Sequence, residues 1–186
     1  MNSKAKNVAL VGMLSAVSYV LVLLIRIPMT TVSPGFVLSY EAKDTIITLG
    51  GFLLGPTTSF ITSIVVSFIE MITISSTGFI GFFMNVLSTC AFACTAAIIY
   101  KKMHSVTGAL IGLVAGMIAS TISMLLWNYI VTPMYMGIPR EAVAKLLQPY
   151  FLPFNLGKNG INAAVCFLIT APVTYAVKKS KILDIK

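Results

Sequence analysis

Asn155, Lys158, Asn159 and Asn162 stand at i, i+3, i+4 and i+7 in the run PYFLPFNLGKNGIN, from Pro149 to Asn162. That spacing is one face of a helix. The rest of the run is apolar enough to enter a membrane, where three amides and an ammonium facing hydrocarbon would be expensive. The face must therefore turn toward protein, water or a polar ligand. An amide donates and accepts at once, and an ammonium adds a donor. Such a wall suits a neutral, planar ligand whose edge alternates carbonyl and N–H groups. Two further polar clusters match it: Trp127-Asn128, and Tyr40-Glu41-Ala42-Lys43-Asp44. Trp127 or Tyr40 can cover the face of a ring. On residue types alone, a flavin, a purine and several vitamins fit equally well.

Glu70 is an acid in an otherwise apolar run, which makes it a functional candidate or the buried partner of a lysine. The following Ser75-Ser76-Thr77-Gly78 is a turn by composition, and Asn85 beyond it is placed to face the same cavity. Catalytic patterns are missing: the sequence has no H-E-x-x-H, no nucleophile elbow and no Cys/His pairing. Gly157-Lys158 is followed by Asn159 where a phosphate-binding loop needs Ser or Thr, and Leu152 stands where that loop's first glycine belongs. An intramembrane enzyme would have to use Glu70 or Glu41 with Lys158. Cys90, Cys94 and Cys166 lie in apolar segments without metal-ligand spacing and read as packing residues, and His104 sits in a polar break beside Lys101 and Lys102.

The elements that position these groups are membrane helices. Of 186 residues 58% are hydrophobic and 10% charged, with mean hydropathy +0.96, which lies outside the range of a soluble domain. At about 20 apolar residues per span there is room for roughly six helices, read as one membrane domain over residues 1–186. The breaks predict helices over about 7–25, from Tyr40–Asp44 to the Gly55-Pro56 break, 57–74, 79–100, 106–131 and 149–177. The second is short for a span, residues 26–39 read as a loop, and a longer polar loop separates the fifth and sixth helices. The N-terminal apolar run, Val8 to Ile25, is too long for a signal h-region and is expected to remain as the first helix.

Lysines and arginines orient the bundle. With the N-terminus inside, Lys4, Lys6, Lys101, Lys102, Lys178, Lys179, Lys181 and Lys186 are cytoplasmic, eight against five elsewhere. Both termini are then cytoplasmic, and the three polar clusters converge near the outer face, where a cavity capped by the 26–39 loop would satisfy them. The net charge of +8 is a topological signal and points to no nucleic acid. Neither an internal repeat nor paired broken helices suggests a secondary transporter. Small residues at Ala5, Ala9, Gly12 and Ala16 let a helix approach closely, with internal packing as the first reading, and the row Gly108, Gly112, Gly116 and Ser120 is read as internal packing too.

Four motifs, LSYEAKD from Leu38, GGFLLGP from Gly50, LLWNYIVTPMYMG from Leu125 and LPFNLGKNGIN from Leu152, resemble the substrate-binding S components of energy-coupling-factor (ECF) vitamin transporters, in particular the riboflavin-binding ones. The resemblance covers essentially the whole chain. It implies an all-α, six-helix, multi-pass protein of the bacterial cell membrane that captures riboflavin outside and has no enzymatic activity and no cofactor, riboflavin being the cargo. Its implied partners are a T component and two ABC-type ATPases that supply the work. It moves Ala9, Gly12 and Ala16 from internal packing to docking on the T component, and it implies that the loop after the first helix closes over the ligand. Asn128, Asn155 and Lys158 would hydrogen-bond the isoalloxazine ring. The expected ligand site is thus Leu38, Tyr40, Glu41, Ala42, Lys43, Asp44, Asn85, Trp127, Asn128, Asn155, Lys158 and Asn159, with Asn162 bonding a neighbouring helix. Another vitamin remains open, as does flavin mononucleotide (FMN), whose phosphate could use Lys43, Arg140 or Lys145.

Overall fold

The computed structural model describes residues 3–33 and 36–180. Its helices are α1 (Ser3–Leu24), α2 (Lys43–Leu54), α3 (Pro56–Thr73), α4 (Gly78–Met103), α5 (Val106–Ile130), α6 (Thr132–Met136), α7 (Arg140–Leu146) and α8 (Leu152–Ser180). The fold is mostly helical, and among the described residues five helical stretches are long and apolar enough to cross a membrane; α2, with 12 residues, is the short member expected. Lys181, Asp184 and Lys186, which entered the charge count, lie outside the described residues.

Two connections expected to be loops are structured. Residues 26–33 and 36–41 pair as antiparallel strands of a hairpin, β1 (Arg26–Ser33) with β2 (Phe36–Glu41), Arg26 pairing with Glu41 and Ile27 with Tyr40. Thr30, Thr31 and Val32 on one strand and Phe36, Val37 and Tyr40 on the other are β-formers, and they outweigh Pro28. Pro28 is tolerated because the register shifts beside it, between Pro28 and Thr30. Residues 34–35, within the expected loop, lie outside the described residues. The stretch between the fifth and sixth spans holds α6, α7 and a π-helical turn, Leu147–Phe151, that runs straight into α8.

The Gly55-Pro56 break ends α2 and starts α3. Gly55 takes φ +99°, open to a residue without Cβ, and Pro56 begins the next helix, where its missing N–H costs nothing. Buried Phe52, Phe92, Ala96, Ala97, Ala109, Leu113 and Cys166 join α2, α4, α5 and α8 into the core. The row of small residues on α5 is the α4 contact. A Cβ on Gly112 would stand 2.7 Å from the Ala96 carbonyl oxygen, and one on Gly116 2.5 Å from that of Phe92. Ser120 continues the seam by donating to the Ser88 carbonyl at 3.1 Å. Backbone cannot swing aside as a side chain can, so Gly116→Val should destabilise the protein by about 1–3 kcal/mol or more. A lowered thermal midpoint in detergent is the expected reading, and wild-type stability would show that the two helices can separate freely.

Candidate functional site

A cleft opens at the end of the bundle where α3 finishes, α4 begins, α5 finishes and α8 begins, beneath the hairpin. It encloses about 1050 Å³ of free space including its mouth, of which about 160 Å³ is open to the centre of a water molecule. That is room for an organic ligand and far more than an ion needs. Its lining includes Asn128 from α5 and Asn155 and Lys158 from α8, together with Phe151 and Phe154, and also Arg26, Leu38 and Glu41 from the hairpin, Glu70 from α3 and Asn85 from α4.

The amide side chains are held before any ligand arrives. Asn155 Nδ2 donates to the Phe151 carbonyl at 2.7 Å, inside the π-helical turn. Asn128 Nδ2 donates to the Met124 carbonyl at 2.7 Å, and its Oδ1 accepts from Thr132 at 2.8 Å. The second N–H of each amide, and Oδ1 of Asn155, remain for a ligand. Such π-helical turns shift the register of a helix and are frequent at functional sites; here one sets the first turn of α8.

Behind and beside the cleft lies one ion-pair cluster with three acids and three bases. Lys43 Nζ lies 2.9 Å from Glu41 Oε2 and also bonds Glu70 Oε2. Glu41 Oε1 faces Arg26 Nε at 3.6 Å, and Asn85 Nδ2 donates to Glu70 Oε2 at 2.9 Å. Asp44 Oδ2 lies 3.3 Å from Lys158 Nζ, while its Oδ1 accepts from Thr89 at 2.7 Å. The charges balance, as low-dielectric surroundings demand. Glu70 is therefore both a lysine's partner and part of the cleft lining, the two roles its sequence context left open.

Burial alone would push the Glu41 carboxyl up, but Lys43, then Lys158 and Arg26, outweigh it and hold the group below the usual carboxylate range. A carboxylate held low keeps its stabilising contribution above its unfolded pKa and loses it only as pH falls through the lower folded value. It is thus ionised throughout the neutral range. Burial, reinforced by the Asp44 carboxylate, raises the Tyr40 phenol, which stays protonated and donates to Asn162 Oδ1 at 3.0 Å.

Six of the twelve expected ligand residues line the cleft: Leu38, Glu41, Asn85, Asn128, Asn155 and Lys158. The other six do not. Tyr40, Ala42, Lys43, Asp44 and Asn159 are buried outside the lining, and Trp127 lines an adjoining hollow with Ile80, Gly81 and Val131. Asn159 Nδ2 donates to Thr121 at 3.3 Å, and Asn162 bonds Tyr40, Thr45 and Asp44. The rings lining the cleft are Phe151, Phe154 and Tyr135, in place of Trp127 and Tyr40. Arg26, Phe151 and Phe154 were missed, although Phe151, Phe154, Asn155 and Lys158 repeat the i, i+3, i+4, i+7 spacing one turn earlier along the chain. None of the expected phosphate seats lines the cleft: Lys43 is buried among carboxylates, Arg140 lies over the Tyr129 ring at 5.4 Å, and Lys145 is exposed elsewhere.

Residues 6–174 match the ECF transporter substrate-specific component family. The chain belongs to that family. A solved structure of the S component of a bacterial ECF transporter is 26% identical and superposes with a TM-score of 0.78, covering 95% of this chain and 99% of that one. No curated protein matches the sequence. The family is one of transporter subunits, not of enzymes. In this S component the stripe Ala9, Gly12 and Ala16 is exposed along α1, with nothing within 4 Å of where a Gly12 Cβ would stand, while Ser15, Ser18 and Val22 turn inward.

Proposed function

We propose that this S component captures riboflavin at the outer face of a bacterial cell membrane and delivers it inward with a T component and two ATPases that supply the work. Six helices, α2 among them, then lie in the bilayer with both termini cytoplasmic. The cleft opens at the end of the bundle opposite Lys101 and Lys102, as the charge bias requires for an outward-facing site. The exposed small-residue stripe on α1 supports an external helix partner, because close approach needs small side chains that no internal neighbour covers.

The observation that carries the riboflavin reading is the wall of Asn128, Asn155 and Lys158 beside Phe151 and Phe154. Amides and an ammonium can match the ring edge while the phenyl groups cover its apolar part. Titrating purified protein with riboflavin should quench flavin fluorescence strongly and saturably. No quenching would reject riboflavin, and displacement by an unrelated vitamin would assign the cleft to that vitamin instead.

A further inference from the structure

We propose that the end of the bundle opposite the cleft holds one anionic phospholipid of the cytoplasmic leaflet, its acyl chain in a groove along α8 and its phosphate among the lysines at the groove's end. The groove lies where α4 finishes, α5 begins and α8 nears its end, and it shares no residue with the cleft. It holds about 1150 Å³ of free space including its open side, of which about 570 Å³ is open to the centre of a water molecule, against about 160 Å³ in the cleft. Small side chains at Ala109 and Ala171 leave this room, and Phe167 and Leu168 give it apolar walls. From Phe167 to Tyr175 the lining follows α8 for about 12 Å, at 1.5 Å per residue. Half of a hydrocarbon core of about 30 Å is close to that length, so the groove matches the acyl region of one leaflet.

The end of the groove changes chemistry. His104, Ser105 and Thr174 bring polar groups there, and Tyr100 and Tyr175 are of the type that gathers at headgroup level. Ser105 caps α5 by accepting from the Gly108 N–H at 3.0 Å, which fixes the turn between α4 and α5. Lys101 and Lys102 are exposed in the last turn of α4, and neither has an ion-pair partner among the described residues. The sequence of α8 adds Lys178, at i+4 from Thr174 and i+3 from Tyr175 and so on the face that lines the groove. No acid offsets these charges: among the described residues Glu41, Asp44, Glu70 and Glu141 all belong to the cleft end. The cations lining the cleft are paired, whereas those beside the groove are free. A topological charge bias needs the lysines but no groove beside them. A zwitterionic lipid would fill the groove and leave the lysines without a partner; an anionic headgroup uses them, as in other basic pockets between helices on the cytoplasmic side.

Native mass spectrometry of the detergent-purified protein, with phosphatidylglycerol or phosphatidylcholine of identical acyl chains added, tests this. Wild-type protein should retain one phosphatidylglycerol, at least roughly tenfold more strongly than phosphatidylcholine. Lys101→Gln with Lys102→Gln, both at exposed positions, should cut that preference roughly tenfold. Ala171→Leu, which fills the groove, should reduce retention of both lipids. Equal retention of the two lipids by the wild type overturns the proposal, and so does phosphatidylglycerol retention unchanged in both variants. Displacement of the lipid by inorganic phosphate would assign the lysines to a free anion. Lost assembly with a T component in Ala171→Leu, with lipid retention intact, would assign the groove to that partner; either result overturns the lipid site. If a variant fails to fold, the wild-type ratio alone decides. The site depends on the proposed orientation only for the leaflet it faces, and riboflavin titration reads the cleft separately, so either reading can fail without the other.

Discussion

Lys43→Met should remove most or all folded protein from the membrane. Lys43 is fully buried, and its ammonium holds the carboxylates of Glu41 and Glu70 together. Taking it away leaves Glu70, 2% exposed, without a cation and Glu41 with only the half-exposed Arg26, and breaking a buried pair by deleting one partner costs about 3–5 kcal/mol. A membrane bundle with the usual margin of about 5–15 kcal/mol would lose a large share of it. The hairpin suffers as well, since Glu41 ties β2 to the bundle through this lysine. The expected reading is loss of the monodisperse peak in detergent, or a thermal midpoint far below wild type. Because replacing both partners of a buried pair is often nearly neutral, Lys43→Met with Glu41→Gln and Glu70→Gln should recover folded protein. Wild-type stability for Lys43→Met alone would mean that the cluster contributes nothing to the fold.

The helices were legible because their breaks are chemical: Gly55-Pro56 and the polar turns at residues 74–78 and 101–105 interrupt hydrocarbon-length runs close to the observed ends, α4 running on to Met103 past its expected end at residue 100. The hairpin was not, because Pro28 and Pro34 signal a loop by composition, whereas Pro28 pairs with Ser39 beside a register shift. The face of α8 is legible in its amides, and Asn162 bonds neighbouring elements as expected, while the lining of the cleft runs from Phe151 to Lys158. Asn162 bonds Tyr40, Thr45 and Asp44, and Asn159 donates to Thr121 while its Oδ1 is buried without a partner, whereas the cleft continues through Phe154 and Phe151. A polar stripe shows where hydrocarbon is excluded and leaves open whether protein or ligand excludes it. Lys43 and Asp44 show the same ambiguity: the sequence located both, and only their partners reveal that they brace the wall from behind. The π-helical turn had no signature, since backbone register leaves little trace in residue types.

Asn155→Ala and Lys158→Ala should each weaken riboflavin binding by at least an order of magnitude, and they should do so in different ways. Asn155 carries no charge, and its own bond is to the local Phe151 carbonyl, so its removal should leave the thermal midpoint nearly unchanged. The loss should be confined to the ligand, whose unpaired ring group costs about 1–3 kcal/mol, or up to roughly a hundredfold in affinity. Lys158→Ala removes a ligand donor and also strips Asp44, fully buried, of its cation. It should lower affinity and stability together. Adding Asp44→Asn should separate the two effects: Thr89 can still donate to the asparagine carbonyl, so stability returns while affinity stays low. Asn159→Ala is the internal comparison, because Asn159 lies outside the cleft lining and bonds Thr121. It should bind riboflavin as the wild type does. If Asn159→Ala lost affinity while Asn155→Ala kept it, the recognising face would lie a turn deeper than the cleft, and the assignment of the Phe151–Lys158 stripe would fail.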